Sequence, residues 1–359
     1  MGPEYRVTGE RRFPGVARKP RDSSPVSAPT RLTLLILVAA VLAAAALVGV
    51  AWSVGFHREL VALAHPHWLW LGVAVVGEVV AYLGYTAAYR EVARAEDGAE
   101  LAVPKAAALV ASGFGVFVHG GGFALDREAL RRAGLSEREA RRRVLGLGAL
   151  EYAVLAPAAL VAATVVLLRG LPVGKSLTLP WIVAVPVGAV LALTALHFRL
   201  TVSRWPYIGK PLERWLNALK LVLGLIVRPG RHWLGLLGVG AYWAGDIFCL
   251  WSTLHAFSAH TPPVAQLIVG YATGYAATRR ALPLGGAGIV EALLPFALGW
   301  VKIERAPALL AVFAYRLINL WLPMIPALAG LPTLRRLERT HRRSRLRQHP
   351  RPARRPDAV

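Results

Sequence analysis

The chain has 359 residues, 55% of them hydrophobic, with 42 Lys and Arg against 20 Asp and Glu, for a net charge of +22. Several apolar runs approach or exceed the ~20 residues that cross a bilayer as a helix, which excludes a soluble domain and points to a polytopic membrane protein. The basic charge gathers in the two tails and one central loop, flanking apolar runs, which excludes nucleic acid as a partner and fits the positive-inside rule and anionic lipid headgroups. The single cysteine, Cys249, excludes an intrachain disulfide and a thiolate metal cluster.

Inside hydrocarbon the backbone must pair with itself, and the apolar runs lack the period-2 alternation of barrel strands. The expected fold is therefore an all-α polytopic membrane protein. Residues 1–31 mix Pro and Ser with seven strong bases and read as a disordered cytoplasmic tail. The first span is expected at 32–54, the second at 68–89 with Glu78 inside it. Residues 104–118 are apolar and meet His119 and the glycine run 120–122. From Asp126 to Arg143 the chain carries seven arginines and four acids. A segment that leaves one internal loop and returns to an arginine-rich one reads as a re-entrant hairpin. Further spans are expected at 144–168 with Glu151, at 181–198, at 232–255 with Asp246 and at 306–330. Segment 212–228 is amphipathic and suits a membrane interface. A second hairpin is expected between 263 and 300, and 335–359 reads as a disordered basic cytoplasmic tail with ten arginines. Two cytoplasmic termini require an even number of crossings, which six full spans plus two re-entrant hairpins satisfy. The localisation so implied is the cell membrane, multi-pass.

The two halves, roughly 68–168 and 232–330, echo each other. Gly77-Glu78 corresponds to Gly245-Asp246, Gly121-Gly122 to Gly285-Gly286, and Leu150-Glu151-Tyr152 falls near Tyr315-Arg316-Leu317. With one hairpin dipping from each side, the order is that of an inverted-topology repeat, in which sites form where broken helices meet near the midplane.

The stretch 279–291 combines Arg279, Arg280, Pro283, Gly285, Gly286, Gly288 and Glu291 in an apolar setting. A helix beginning at the glycines exposes unpaired N–H groups that suit a phosphate or carboxylate. With Arg316 on the following span, the group forms a candidate pocket for an anionic headgroup. The structural alternative is close helix packing at the glycines and a Glu291–Arg316 ion pair. Glu78, Glu151, Asp246, Glu291 and Asn319 would line a polar route, with His119 beside the first glycine run, because ionisable groups in apolar segments are expensive. Enzyme signals are poor. Residues 170–176 fall one residue short of a phosphate-binding loop and follow no strand, and neither HExxH nor GxSxG occurs. No catalytic residue, cofactor or metal site is expected.

The run from Pro283 through Gly285-Gly286-Ala287-Gly288-Ile289-Val290-Glu291, then Ala306, Tyr315-Arg316 and Trp321-Leu322-Pro323, resembles the lysylphosphatidylglycerol synthase transmembrane family, also called flippase-like domain proteins. Gly121-Gly122-Phe123 with Asp126-Arg127, Leu130 and Gly134 resembles that family's first glycine-and-arginine motif, with Val118-His119 where proline and a polar residue are expected. The resemblance covers roughly 32–334 and implies translocation, of flippase or scramblase type, of anionic or aminoacylated phospholipid or another polar lipid such as a polyprenyl-linked one. It matches the stand-alone membrane half, without an aminoacyl-transferase domain, so no enzyme activity is expected. The alternative expectation is a non-transporting membrane partner that organises a lipid-modifying or glycan-assembly enzyme.

Overall fold

A computed structural model describes residues 28–54, 66–113, 121–197, 209–227, 229–257, 261–276 and 287–323. Among them all the regular secondary structure is helical, without a strand. In order, the helices are α1 (Ala28–Val54), α2 (Trp68–Arg94), α3 (Val103–Gly113), α4 (Gly121–Arg132), α5 (Glu137–Leu168), α6 (Lys175–His197), α7 (Gly209–Val227), α8 (Pro229–Phe257), α9 (Val264–Tyr271), α10 (Ile289–Trp300) and α11 (Arg305–Arg316). A π-helical turn, Ala272–Ala276, extends α9, and a second, Leu317–Trp321, extends α11.

Four of these helices are long and apolar enough to cross a membrane: Trp68–Arg94, Glu137–Leu168, Lys175–His197 and His232–Phe257. They match four of the six expected spans. α1 covers the first expected span, 32–54, and α11 with its π-turn begins the last, 306–330, whose remainder lies outside the described residues. The amphipathic segment expected at 212–228 is α7. Helix α5 starts seven residues before its expected span, because Ser136 supplies an N-cap: its Oγ accepts from the Glu139 N–H at 3.3 Å, while the Ser136 N–H donates to Glu139 Oε2 at 3.1 Å.

The centre of the fold is the pair α2–α8. Gly84 and Gly238 face each other, and a Cβ on either would lie 2.5 or 2.6 Å from the other's carbonyl oxygen. Gly77 and Gly245 meet in the same way. The pairing descends one helix as it climbs the other, so the two run antiparallel, with backbones as close as small residues permit. Around them lies one apolar core that draws on α2 to α11, including Ala81, Tyr85, Leu147, Val239, Leu250, Leu298 and Val312.

Part of the arginine-rich segment serves this architecture. Arg143 is buried and donates from Nε to the Ala93 carbonyl at 3.2 Å and from Nη2 to the Ala95 carbonyl at 2.7 Å, completing the C-terminus of α2. Arg142 grips both oxygens of Glu96 at 2.6 and 3.0 Å and also reaches the Asn217 carbonyl at 3.0 Å. The end of α2, the start of α5 and α7 are thus held together by two adjacent guanidinium groups.

One register recurs. Helix α4 runs 121–132 and α10 runs 289–300; α5 begins at 137 and α11 at 305; Glu78 and Asp246 sit on α2 and α8. Each pair is displaced by 168 positions, a single displacement where the residue echoes alone require 164 to 168.

Candidate functional site

The polar centre is built on Asp246, which is wholly buried in the middle of α8. Three donors converge on it. Tyr315 OH and Asn319 Nδ2 reach Oδ1 at 3.0 and 2.6 Å, and Tyr271 OH reaches Oδ2. The same Asn319 amide nitrogen donates its second hydrogen to Glu78 Oε2 at 2.9 Å. One amide therefore bridges two buried carboxylates, one from each of the paired helices α2 and α8. Such groups in a low-dielectric interior are tolerated only when hydrogen-bonded, and here donors from three elements supply the bonds.

Both π-helical turns lie at this centre. Tyr271 closes α9 just before the turn 272–276, and Asn319 lies within the turn 317–321 that follows Tyr315 and Arg316. A π-turn widens the helix by one residue and rotates the side chains beyond it, and such turns concentrate at functional sites. Its effect is visible in Arg316 and Asn319. Their spacing of three predicts a shared face, yet Asn319 turns to Glu78 and Asp246 while Arg316 pairs elsewhere.

Arg316 pairs with Glu291: Nε donates to Oε1 at 2.7 Å, with both side chains all but inaccessible. Glu291 is at the third position of α10, and its Oε2 accepts the Gly288 N–H at 2.8 Å. Gly288 has φ of +86°, which glycine adopts without strain, and the Cβ and carbonyl of Leu42 on α1 pack against it. The structural alternative foreseen for Glu291 is thus present: it ties the start of α10 to the end of α11.

Glu151 belongs to an adjoining cluster. Tyr85 OH donates to its Oε1 at 2.8 Å, and the Trp243 indole N–H donates to its backbone carbonyl at 2.9 Å. A run of rings, Tyr85, Tyr242, Trp243 and Tyr271, with successive centroids 5.1, 4.5 and 6.1 Å apart, leads from Glu151 towards Asp246. Asp126 on α4 is wholly buried nearby. Burial, and then the Glu151 charge, push its carboxyl well above the ordinary range.

The structure therefore joins Glu78, Asp246 and Asn319 directly, places Glu151 in the next cluster, and sets Glu291, Arg316 and Gly288 in a third. His119, Arg279, Arg280, Gly285 and Gly286 lie outside the described residues. The sequence reading omitted Tyr85, Tyr271, Tyr315, Trp243 and Asp126 from the site. Two had a signal: Tyr85 is seven residues from Glu78 on one helix face, and Asp126 shares a face with Phe123 and Leu130. Among the described residues no group of His, Cys, Asp and Glu could hold a metal ion. No family model matches the chain, and a search of curated proteins gives no match.

Proposed function

We propose that the chain is an integral membrane translocase, of flippase or scramblase type, that moves an anionic, aminoacylated or otherwise polar lipid between leaflets. The observation that carries the reading is the bridge Glu78–Asn319–Asp246. Two carboxylates and an amide are buried between helices that are apolar enough to cross a bilayer, where ionisable groups are costly and mark ion or substrate routes. The close glycine contacts already hold α2 against α8, so the acids are not needed for that joint. In this reading α2–α5 and α8–α11 form an inverted repeat, and the polar clusters line the seam between the halves. The motif resemblance at 283–291 and 315–323 supplies the lipid class, and Arg279, Arg280, Gly285, Gly286, Gly288 and Arg316 are proposed to receive the headgroup. Transport is passive or ion-coupled. The protein sits in the cell membrane with both termini cytoplasmic and acts without a cofactor or chemical step.

The test is lipid movement in liposomes reconstituted with the full chain, followed with short-chain fluorescent phospholipids of different headgroup and with polyprenyl phosphates. The wild type should exceed protein-free liposomes for at least one anionic or aminoacylated lipid. If none of these lipids moves faster, translocation is wrong and the non-transporting scaffold stands.

A further inference from the structure

A second polar feature lies away from the buried clusters, where the start of α5 meets the first half of α7. The two helices enclose an open cavity of about 500 Å³ lined by Arg138, Arg141, Arg142 and Arg214 with Glu137 and Glu213. The charges do not cancel within it. Arg142 is fully engaged by Glu96 and the Asn217 carbonyl, and so serves as a wall. The single carboxylate of Glu137 is shared by Arg141 at 2.9 Å, Arg131 at 3.1 Å and Arg127 at 3.6 Å. Arg138 stands 3.8 Å from Glu213, beyond a hydrogen bond, and is 85% exposed. Arg214 is exposed and makes no ion pair among the described residues. Three guanidinium groups therefore face one opening with incomplete compensation.

Helix α7 fixes the surroundings of that opening. One stripe, Ala218, Leu221, Val222 and Leu225, is buried in the protein. A second, Leu212, Trp215, Leu223, Ile226 and Val227, is exposed. A helix that buries one apolar stripe and offers another outward suits the boundary between headgroups and acyl chains, and an exposed tryptophan is the residue expected at that depth. The cavity takes Glu213, Arg214 and Asn217 from one flank of α7, and Trp215 on the other flank begins the exposed stripe, so both belong to the same first turns of an interfacial helix.

We propose that this cavity docks the phosphate of an anionic phospholipid from the leaflet in which α7 lies, with Arg138, Arg141 and Arg214 as its ligands. Guanidinium forks match phosphate oxygens in geometry and charge, and the exposed apolar stripe of α7 sets them at the depth of the headgroups. The site is independent of translocation. It requires only that α7 rest at a bilayer surface, and a chain that moves no lipid would still carry it. The chemistry it recognises, a phosphate group, is shared by lipid headgroups and by soluble phosphates.

The full chain is placed in nanodiscs of phosphatidylcholine with a minor fraction of phosphatidylglycerol, released, and its retained lipids counted by native mass spectrometry. The wild type should retain phosphatidylglycerol over its share of the bilayer by about tenfold, roughly one charge-assisted pair's worth of preference. The variant Arg138→Gln/Arg141→Gln/Arg214→Gln keeps Arg142 and its contacts, and should lose most of that excess, keeping only what the headgroup site proposed at Arg279, Arg280 and Arg316 retains, with an unchanged melting temperature. Should the triple variant unfold, Arg214→Glu alone is the substitute, because its side chain is exposed and supports nothing in the fold. Retention equal to the wild type in a folded variant overturns the proposal. A third arm adds excess inorganic phosphate during release: persistence of phosphatidylglycerol supports a lipid site, and its complete displacement shows a site for soluble anions and overturns the lipid assignment.

Discussion

Where the second half of the chain sets Glu291 against Arg316, the first half sets Phe123 against Gly148, each residue 168 positions earlier. The Phe123 ring lies 3.2 Å from where a Gly148 Cβ would stand, so corresponding positions of the two short helices meet corresponding positions of the two following helices. The same displacement takes Glu151 to Asn319 and Glu78 to Asp246. One pair of helices can therefore be joined by an aromatic ring on a glycine, and the other is joined by a buried ion pair. Because burying two charges costs as much as their attraction returns, an apolar contact of similar volume would hold the helices equally well. The first half demonstrates that solution at the matching place. The use of a buried ion pair at this place, where an apolar contact serves in the first half, therefore points to a role beyond holding α10 to α11.

The sharpest way to break this comparison is to remove one member of each contact. Arg316→Ala strands a buried carboxylate and should cost about 3–5 kcal/mol, seen as a large fall in melting temperature or loss of a monodisperse protein. The pair Glu291→Gln/Arg316→Gln leaves no unpaired charge and should recover most of that loss. If the double variant is as unstable as the single one, the ion pair is itself structural and the contrast with Phe123–Gly148 fails. Next in size, Tyr315→Phe removes one donor from the buried Asp246 and should cost about 1–3 kcal/mol, the range for a buried polar group left without a partner. Tyr85→Phe, which acts on Glu151 in the other half, should fall in the same range, and a much smaller loss there would mean that Glu151 is held by other contacts.

Gly84→Ala tests the joint between the halves. Its Cβ would stand 2.5 Å from the Gly238 carbonyl oxygen, a rigid backbone atom, so α2 and α8 must separate. The expected loss is about 1–3 kcal/mol by thermal unfolding, the usual range for overpacking. Gly72, whose Cβ would meet nothing within 4 Å, should accept alanine without loss.

The smallest expected effect is the pH response of Asp126, on α4 outside the four candidate spans. Its carboxyl is raised in the folded chain by burial and then by Glu151, so it favours the protonated form. Such a group supports the fold below the ordinary carboxyl range, and that support is lost as pH rises through the folded value. Asp126→Asn removes the titration. Its melting temperature should fall less than the wild type's between acidic and alkaline pH, whereas identical pH profiles would show that Asp126 does not titrate in the fold.

The sequence carried the helices because apolar length and charge placement are local signals. Thus α2, α5, α6 and α8 fall on expected spans, and α7 on the expected amphipathic segment. It carried the acids of the site for the same reason, since Glu78, Glu151 and Asp246 each stand out in an apolar run. It did not carry their partners. Tyr271 and Tyr315 are ordinary residues in an apolar helix until the fold aims both hydroxyls at Asp246. Arg316 and Asn319, three positions apart, bond different partners, and the π-turn that begins between them leaves no mark in a hydrophobic pattern. The arginines of 126–143 read as a topology signal, but Arg143 also pins α5 to the Ala93 and Ala95 carbonyls nearly fifty residues away, and Arg142 grips the Glu96 carboxylate. Asp126 read as the start of a charged loop, because its neighbours Arg127 and Glu128 mask the buried face it shares with Phe123.

Translocation through the polar seam is tested most directly by comparing the wild type with Asn319→Leu in reconstituted liposomes. The substitution removes the amide that joins Glu78 to Asp246 while keeping the side chain's volume nearly constant. Movement of a fluorescent anionic lipid by the wild type, reduced at least about tenfold in a variant that still reconstitutes as a folded protein, is the expected result, equivalent to about 1.4 kcal/mol on the barrier. Equal rates in the two proteins would contradict a lipid route past Glu78, Asn319 and Asp246.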